Sequence, residues 1–261
     1  MGGRPYSKRK IIMAPIIKSQ AEREKIRETG RIVADVLAEL RAAVHPGITT
    51  GELDRMGVEI LEQRGAKSSS LGYHGYPKSL CTSVNDEVVH GIPGERVLRE
   101  GDIVSIDFAA IYNGWHADSA ITVPVGVVEP EVQRLLRVTE DALYRGIAAA
   151  RAGNRLHDIS RAVQQYVEAE GFSVVRHYGG HGVGRSMHED PQVLNYIEYG
   201  FPNTLLKPGM VIAIEPMVNM GAKETRVLSD DWTVVTDDSS YSAHFEHTVA
   251  ITEGDADILT I

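Results

Sequence analysis

Apolar and polar positions alternate through IVSIDFAAIY (103–112) and again through WHADSAITV (115–123), and Asn113-Gly114 separates the two runs. A period of two is that of a half-buried strand. Asn-Gly is a two-residue hairpin signal because both positions accept positive φ. The pattern predicts a β-hairpin with Tyr112 opposite Trp115 and Ala109 opposite Asp118. Asp107 shares a strand face with Ala109, so Asp107 and Asp118 become diagonal neighbours, roughly 7–8 Å apart at Cα. Two like charges at that spacing repel unless something neutralises them.

The alternating run has a second copy. LREGDIVSID ends at Asp107 and LKPGMVIAIE ends at Glu215, matching without a gap. HPGITTGELDRMGVEILEQRG (45–65) matches RAGNRLHDISRAVQQYVEAEG (151–171). In both, a glycine precedes an acidic residue by five, and an apolar 3.6-period helix follows and ends at glycine. DSAITVPVG from Asp118 matches EHTVAITEG from Glu246, each read as a strand that begins with a carboxylate. Three matches in one order predict a duplication, with each half holding two helices and then strands. Halves of about 20–126 and 127–261 that pack about a pseudo-twofold axis bring Asp107 and Asp118 towards Glu215 and Glu246.

Four carboxylates in a partly buried site need strong compensation. No Lys or Arg lies in the strand segments that carry them. Divalent cations are the natural counter-ions, two of them offset four carboxylates, and a bridging hydroxide fits between the pair. Oxygen-rich ligation without thiolate suits Mn, Fe, Co or Zn over copper. Ten histidines are present. His181 and His188 lie in the glycine-rich YGGHGVGRSMHEDP (178–191), and His90 lies beside the Gly-Ile-Pro-Gly turn; these three are candidate site residues. His74, His116, His157, His177, His244 and His247 read as surface or turn residues.

Composition narrows the class. The 261-residue chain is 43% hydrophobic and 24% charged, ordinary for a globular protein. Its net charge of −9 argues against nucleic acid, DNA included, as a partner. A single cysteine, Cys81, excludes an internal disulfide and a cysteine-rich zinc site. It fits a reducing, cytoplasmic setting. No apolar run approaches the roughly 20 residues that span a membrane. The first 19 residues, MGGRPYSKRKIIMAPIIKS, are basic. They read as a flexible extension or an early start codon.

The segments LGYHGYPKSLCTSVNDEVVHGIP, GDIVSIDF…HADSA, GGHGVGRSMHEDPQV, KPGMVIAIEPMV and SAHFEHTVAIT resemble the type I methionine aminopeptidases, in family order, from about residue 20 to the end. The short interval from His181 to Glu215 is similar to type I. The resemblance implies the pita-bread fold, an α/β arrangement of two pseudo-twofold halves with helices around a central curved antiparallel sheet, here one catalytic domain over 20–261. It implies removal of the N-terminal methionine from nascent proteins and peptides with a small second residue, by a metal-bridged hydroxide.

Carried over residue by residue, it implies Asp107 and Asp118 as ligands of one divalent ion and His181 and Glu215 as ligands of the second. Asp118 and Glu246 bridge the two. His90 and His188 contact substrate, with His188 on the oxyanion and His90 on the scissile amide, while Glu215 shuttles a proton. Tyr73, Tyr76, Cys81 and Trp232 wall the methionine pocket. Asn85, Glu87 through its backbone, and Ser242 stand where a monovalent cation binds. Met187 departs from the family pattern by replacing an aromatic residue, and Ser70 stands where some members have cysteine. The implied partners are nascent chains and, transiently, the ribosome, and the expected state is a monomer. A proline-directed peptidase of the same fold and a non-catalytic binding protein are the competing readings.

Overall fold

The computed structural model describes residues 14–261; most of the basic extension expected at 1–19 lies outside them. The folded body takes in Lys18 and Ser19, which that expectation placed in the extension. Lys18 is buried, and Ser19 is the N-cap of α1 (Gln20–Ala43) in a reciprocal capping box with Glu22.

A second capping box opens α2 (Thr50–Gln63), where Glu52 accepts the Thr49 N–H at 2.7 Å. The chain continues through β1 (Lys67–Ser68), β2 (Cys81–Val84), β3 (Glu87–Val89) and the hairpin of β4 (Ile103–Tyr112) and β5 (Trp115–Pro124). Then come α3 (Pro130–Ala149), α4 (Leu156–Ala169), β6 (Ser173–Val174), β7 (Gly180–Gly182), β8 (Glu189–Val193), β9 (Val211–Ile214) and β10 (Met217–Asn219). Last are β11 (Thr225–Val227), β12 (Val234–Thr236), β13 (Ser242–His244), β14 (Glu246–Ala250) and β15 (Asp257–Ile258).

The acidic positions of the helical repeat have a physical role. Asp158 accepts the Arg155 N–H at 2.8 Å, as Glu52 does at Thr49, so both carboxylates close the first turn of their helix. Both helices stop at a left-handed glycine, Gly65 at φ 68° and Gly171 at φ 81°.

The main sheet runs β1-β4-β5-β14-β9-β7-β8, with β2 also on β4 and β15 on β14, and its pairs are antiparallel. Two three-stranded sheets, β13-β10-β6 and β11-β12-β3, flank it. The order β4-β5-β14-β9 is symmetric about the β5–β14 seam, as the duplication predicts. The hairpin register is the expected one: Tyr112 opposes Trp115, Ala109 opposes Asp118, and Asn113 and Gly114 have φ of 50° and 78°. Strand β5 starts earlier than its repeat suggested, because the hairpin extends it back to Trp115.

One face of this sheet packs on helices. Ile106, Phe108 and Ala110 join Ile26, Val33, Leu40 and Leu53 of the first helix pair. Ile212, Ile214 and Val249 join Leu143, Ile147 and Ile159 of the second. The opposite parity of the strands carries the carboxylates. No helix among the described residues is long and apolar enough to cross a membrane.

Helix α1 passes close to the C-terminal strand. A Cβ at Gly30 would lie 2.0 Å from the Leu259 carbonyl oxygen. Gly30→Ala should therefore lower stability by about 1–3 kcal/mol in urea denaturation, because the backbone clash outweighs the ~1 kcal/mol helix-propensity gain. A gain in stability would contradict this packing.

Candidate metal centre

Register places the acidic groups in one row. Asp107 on β4 pairs with Ala120 on β5, and Ala120 pairs with Glu246 on β14. His247 opposes Ile214, so Glu215, one residue past β9, falls in line with Glu246. Asp118 lies two residues before Ala120 on the same face. The small Ala120 side chain leaves the space between the carboxylates open.

Hydroxyl groups fix these residues across the β5–β14 seam. Thr248 Oγ1 accepts the Asp118 N–H at 3.0 Å and donates to the Asp118 carbonyl at 2.7 Å. Ser119 Oγ donates to the Glu246 carbonyl at 2.6 Å. Thr122 Oγ1 accepts the His244 N–H at 2.9 Å and donates to its carbonyl at 2.7 Å. Asn195 Nδ2 donates to the Glu215 carbonyl at 2.8 Å. The backbones of Asp118, Glu215 and Glu246 are thus set by side chains from neighbouring segments.

His181 reaches the row from β7. Its Nδ1 lies 3.0 Å from the Gly182 carbonyl, which can only accept, so Nδ1 carries the proton and Nε2 presents a lone pair. Nε2 lies 3.9 Å from Asp118 Oδ2 and 3.7 Å from Glu215 Oε1. These gaps are too long for hydrogen bonds and suit donors that each bind one ion at about 2.0–2.2 Å. One ligand atom each from Asp118, His181 and Glu246 lies within 4.8 Å of the others. Asp118 Oδ1 and Glu246 Oε1 are buried without a hydrogen-bond partner. Buried carboxylate oxygens left open in this way fit a divalent cation.

Burial pushes the Asp107 carboxyl up to about 7, offset in part by a hydrogen bond with Asp118. Burial and then the neighbouring carboxylates push Asp118, Glu215 and Glu246 well above the ordinary range. Burial depresses His181 and His90 to about 4. Burial thus disfavours the charged forms of the carboxyls and of the imidazoles alike.

The residues expected on the substrate side lie around this row. His188 Nδ1 and Tyr73 Oη lie 2.8 Å apart, and the His188 ring is 4.0 Å from that of His181. His90, held at φ 61°, meets Trp232 at 6.2 Å and Tyr178 at 5.7 Å between ring centroids. Tyr76 packs edge-on against Trp232 at 5.1 Å and is buried. Cys81 is buried and pairs with Asp107 on β4, and burial pushes its thiol up. Met187 is buried too.

The residues expected at the monovalent site are adjacent, with the Ser242 N–H donating to the Asn85 carbonyl at 2.8 Å. The Asn85 carboxamide is engaged by Asp102 and the Ile103 N–H, and the Glu87 carboxylate by the Val84 N–H and Arg96.

Two residues of the site escape the reading from sequence. His244, expected at the surface, is 1% exposed with Nε2 3.9 Å from Glu215 Oε2. Its signal was the two-residue spacing to Glu246 in extended chain. Tyr178 carried no periodic signal, because it sits in an irregular segment before β7.

Sheet, duplication and donor set together define a pita-bread metalloprotein. The model of metallopeptidase family M24 matches residues 24–253. The chain is 54% identical to methionine aminopeptidase 1 of Bacillus subtilis, over 94% of this chain and 98% of that protein. It superposes on the solved methionine aminopeptidase of Thermotoga maritima with a TM-score of 0.92 and 45% identity, covering 95% of this chain and 99% of that one. A prolidase from Pyrococcus furiosus, at 24% identity and TM-score 0.77, covering 95% of this chain and 66% of that one, shares the fold. The chain belongs to metallopeptidase family M24.

Below about pH 7 a divalent ion must displace a proton from the Asp107 carboxyl but none from His181, which burial keeps neutral near pH 6. A group whose pKa is raised towards 7 holds its proton below that pH, so metal affinity should climb as pH rises through about 7. Calorimetric titration with Mn²⁺ in buffers of different ionisation enthalpy should show net proton release at pH 6 and less at pH 8. Equal release at both would contradict the raised Asp107 carboxyl.

Proposed function

We propose that the protein removes the N-terminal methionine from nascent polypeptides and peptides whose second residue is small, in the cytoplasm, using two divalent ions drawn from Mn, Fe, Co or Zn. The observation that carries this reading is the row of Asp107, Asp118, Glu215 and Glu246 with His181, in a chain about half identical to methionine aminopeptidases over nearly its full length.

Asp107 and Asp118 would hold one ion and His181 and Glu215 the other, with Asp118 and Glu246 shared. Bound ions supply an activated water and polarise the methionyl carbonyl near neutral pH. The remaining work falls to the chain. His188, steadied by Tyr73, stabilises charge that develops on the carbonyl oxygen. His90, kept neutral by burial, hydrogen-bonds the scissile amide. Glu215, whose carboxyl burial pushes well above its ordinary range, moves a proton to the leaving amine. Tyr73, Tyr76, Cys81, Met187 and Trp232 form an apolar slot for the unbranched thioether. Tyr76 is locked there because its hydroxyl donates towards the Leu80 and Gly91 carbonyls at 3.1 and 3.0 Å.

Release of the first residue from Met-Ala-Ser, Met-Leu-Ser and Ala-Pro-Ser peptides tests the assignment. Cleavage of Met-Ala-Ser at least about tenfold faster than Met-Leu-Ser is expected; a preference for Ala-Pro-Ser would transfer the protein to the proline-directed class. Met187→Phe should keep the methionine preference and lose tolerance for ethionine-led peptides, because methionine adapts its shape where a phenyl ring does not. Identical profiles for parent and variant would remove Met187 from the pocket.

A further inference from the structure

The loop from Val183 to His188 joins β7 to β8, and one carboxylate organises it. Glu189 Oε1 accepts the N–H groups of Arg185 at 2.8 Å and Ser186 at 3.3 Å. Gly184 makes room for it, since a Cβ there would lie 2.4 Å from Oε1. The other oxygen, Oε2, takes the ammonium of Lys18 at 2.6 Å.

Lys18 comes from the segment before α1, is 3% exposed, and is seated by its own N–H on the Gly209 carbonyl at 2.8 Å. The far side of the loop is pinned without charge pairing. The His116 N–H donates to the Gly184 carbonyl at 2.9 Å, and the Arg185 guanidinium lies 4.0 Å over the Trp115 ring. Glu189 therefore enters the fold as a buried anion next to His188, and Lys18 is the cation that meets it. A buried carboxylate stripped of its partner cation is left uncompensated, and its movement towards water releases the loop.

We propose that Lys18 is a positioning residue for His188: through Glu189 it holds the loop in the shape that sets the His188 ring against Tyr73 and His181. The inference rests on the reading of His188 as a substrate-contacting group. It makes the segment ahead of the first helix a working part of the active site.

The test measures kcat and KM on Met-Ala-Ser, with bound Mn²⁺ counted, for the full chain carrying Lys18→Met or Lys18→Arg, in the parent and in a His188→Ala background. Lys18→Met should lower kcat about 10- to 100-fold with bound metal unchanged, as expected when a group is displaced by about 1 Å. Lys18→Arg should recover most of the loss, and Lys18→Met should cost nothing further once His188 is alanine.

An equal fold-loss in both backgrounds would overturn the positioning role and leave Lys18 a structural residue. Parental kcat in His188→Ala alone would instead overturn the substrate role of His188, and the proposal with it. Should Lys18→Met fail to fold, Lys18→Met/Glu189→Gln removes both charges and keeps an acceptor for the Arg185 N–H. It should be faster than Glu189→Gln alone; a slower double variant would contradict the proposal.

Discussion

Mutual repulsion among four carboxylates, two of them buried and two half-buried, is the constraint on which the rest of this structure depends. Asp107, Asp118 and Glu246 lie on three strands and Glu215 one residue past a fourth, and the sheet delivers them to one face in one row. No chain folds towards such a cluster for its own stability, because burial disfavours every one of these ions. The cost is met by two packed helix pairs on the opposite face and by hydroxyls that grip the backbone at the carboxylate positions. The β5–β14 seam has a short ladder, Glu246 to Ala120 and His247 to Ser119. Ser119, Thr122 and Thr248 add the bonds that the ladder lacks.

Around that row the site is built from segments that are not strands of the duplication. The loop ahead of β8 brings His188 over His181, the turn after β3 brings His90, and the segment ahead of β12 brings Trp232. His90 sits in the left-handed region, a conformation that a side chain adopts only where surrounding packing imposes it. Its ring is held between Trp232 and Tyr178. The separation is physical: rigid paired strands fix the carboxylate row and His181, while loops pinned at several points carry His90, His188 and Trp232.

Much of this was legible in the chain because period-two alternation with an Asn-Gly turn leaves little freedom. Asp107 and Asp118 could be placed on one face, diagonal to each other, and the register agrees. The duplication brought in Glu215 and Glu246, since matched strands in matched halves imply a shared seam. The pairing of Lys18 with Glu189, 171 residues apart, could not be read, because no periodicity relates a loop to a segment before the first helix. His244 was passed over because a lone histidine in a strand has many ordinary uses, and its closeness to Glu215 follows from β13 pairing with β10 outside the main sheet. Tyr178 was missed for want of any pattern in its segment. The basic residues near the N-terminus supported an extension, but Lys18 shows that basic character alone does not mark where packing begins.

The central claim is that the carboxylate row exists to bind divalent cations that perform peptide hydrolysis. The most direct measurement strips the protein with a chelator, then returns Mn²⁺, Fe²⁺, Co²⁺ or Zn²⁺ stepwise while bound metal and methionine release from Met-Ala-Ser are followed together. The account predicts no release from the stripped protein, recovery within the first two equivalents of at least one ion, and no recovery in Glu246→Gln. Release from fully stripped protein, or silence with every ion in a parent that binds two equivalents and stays folded, would contradict it.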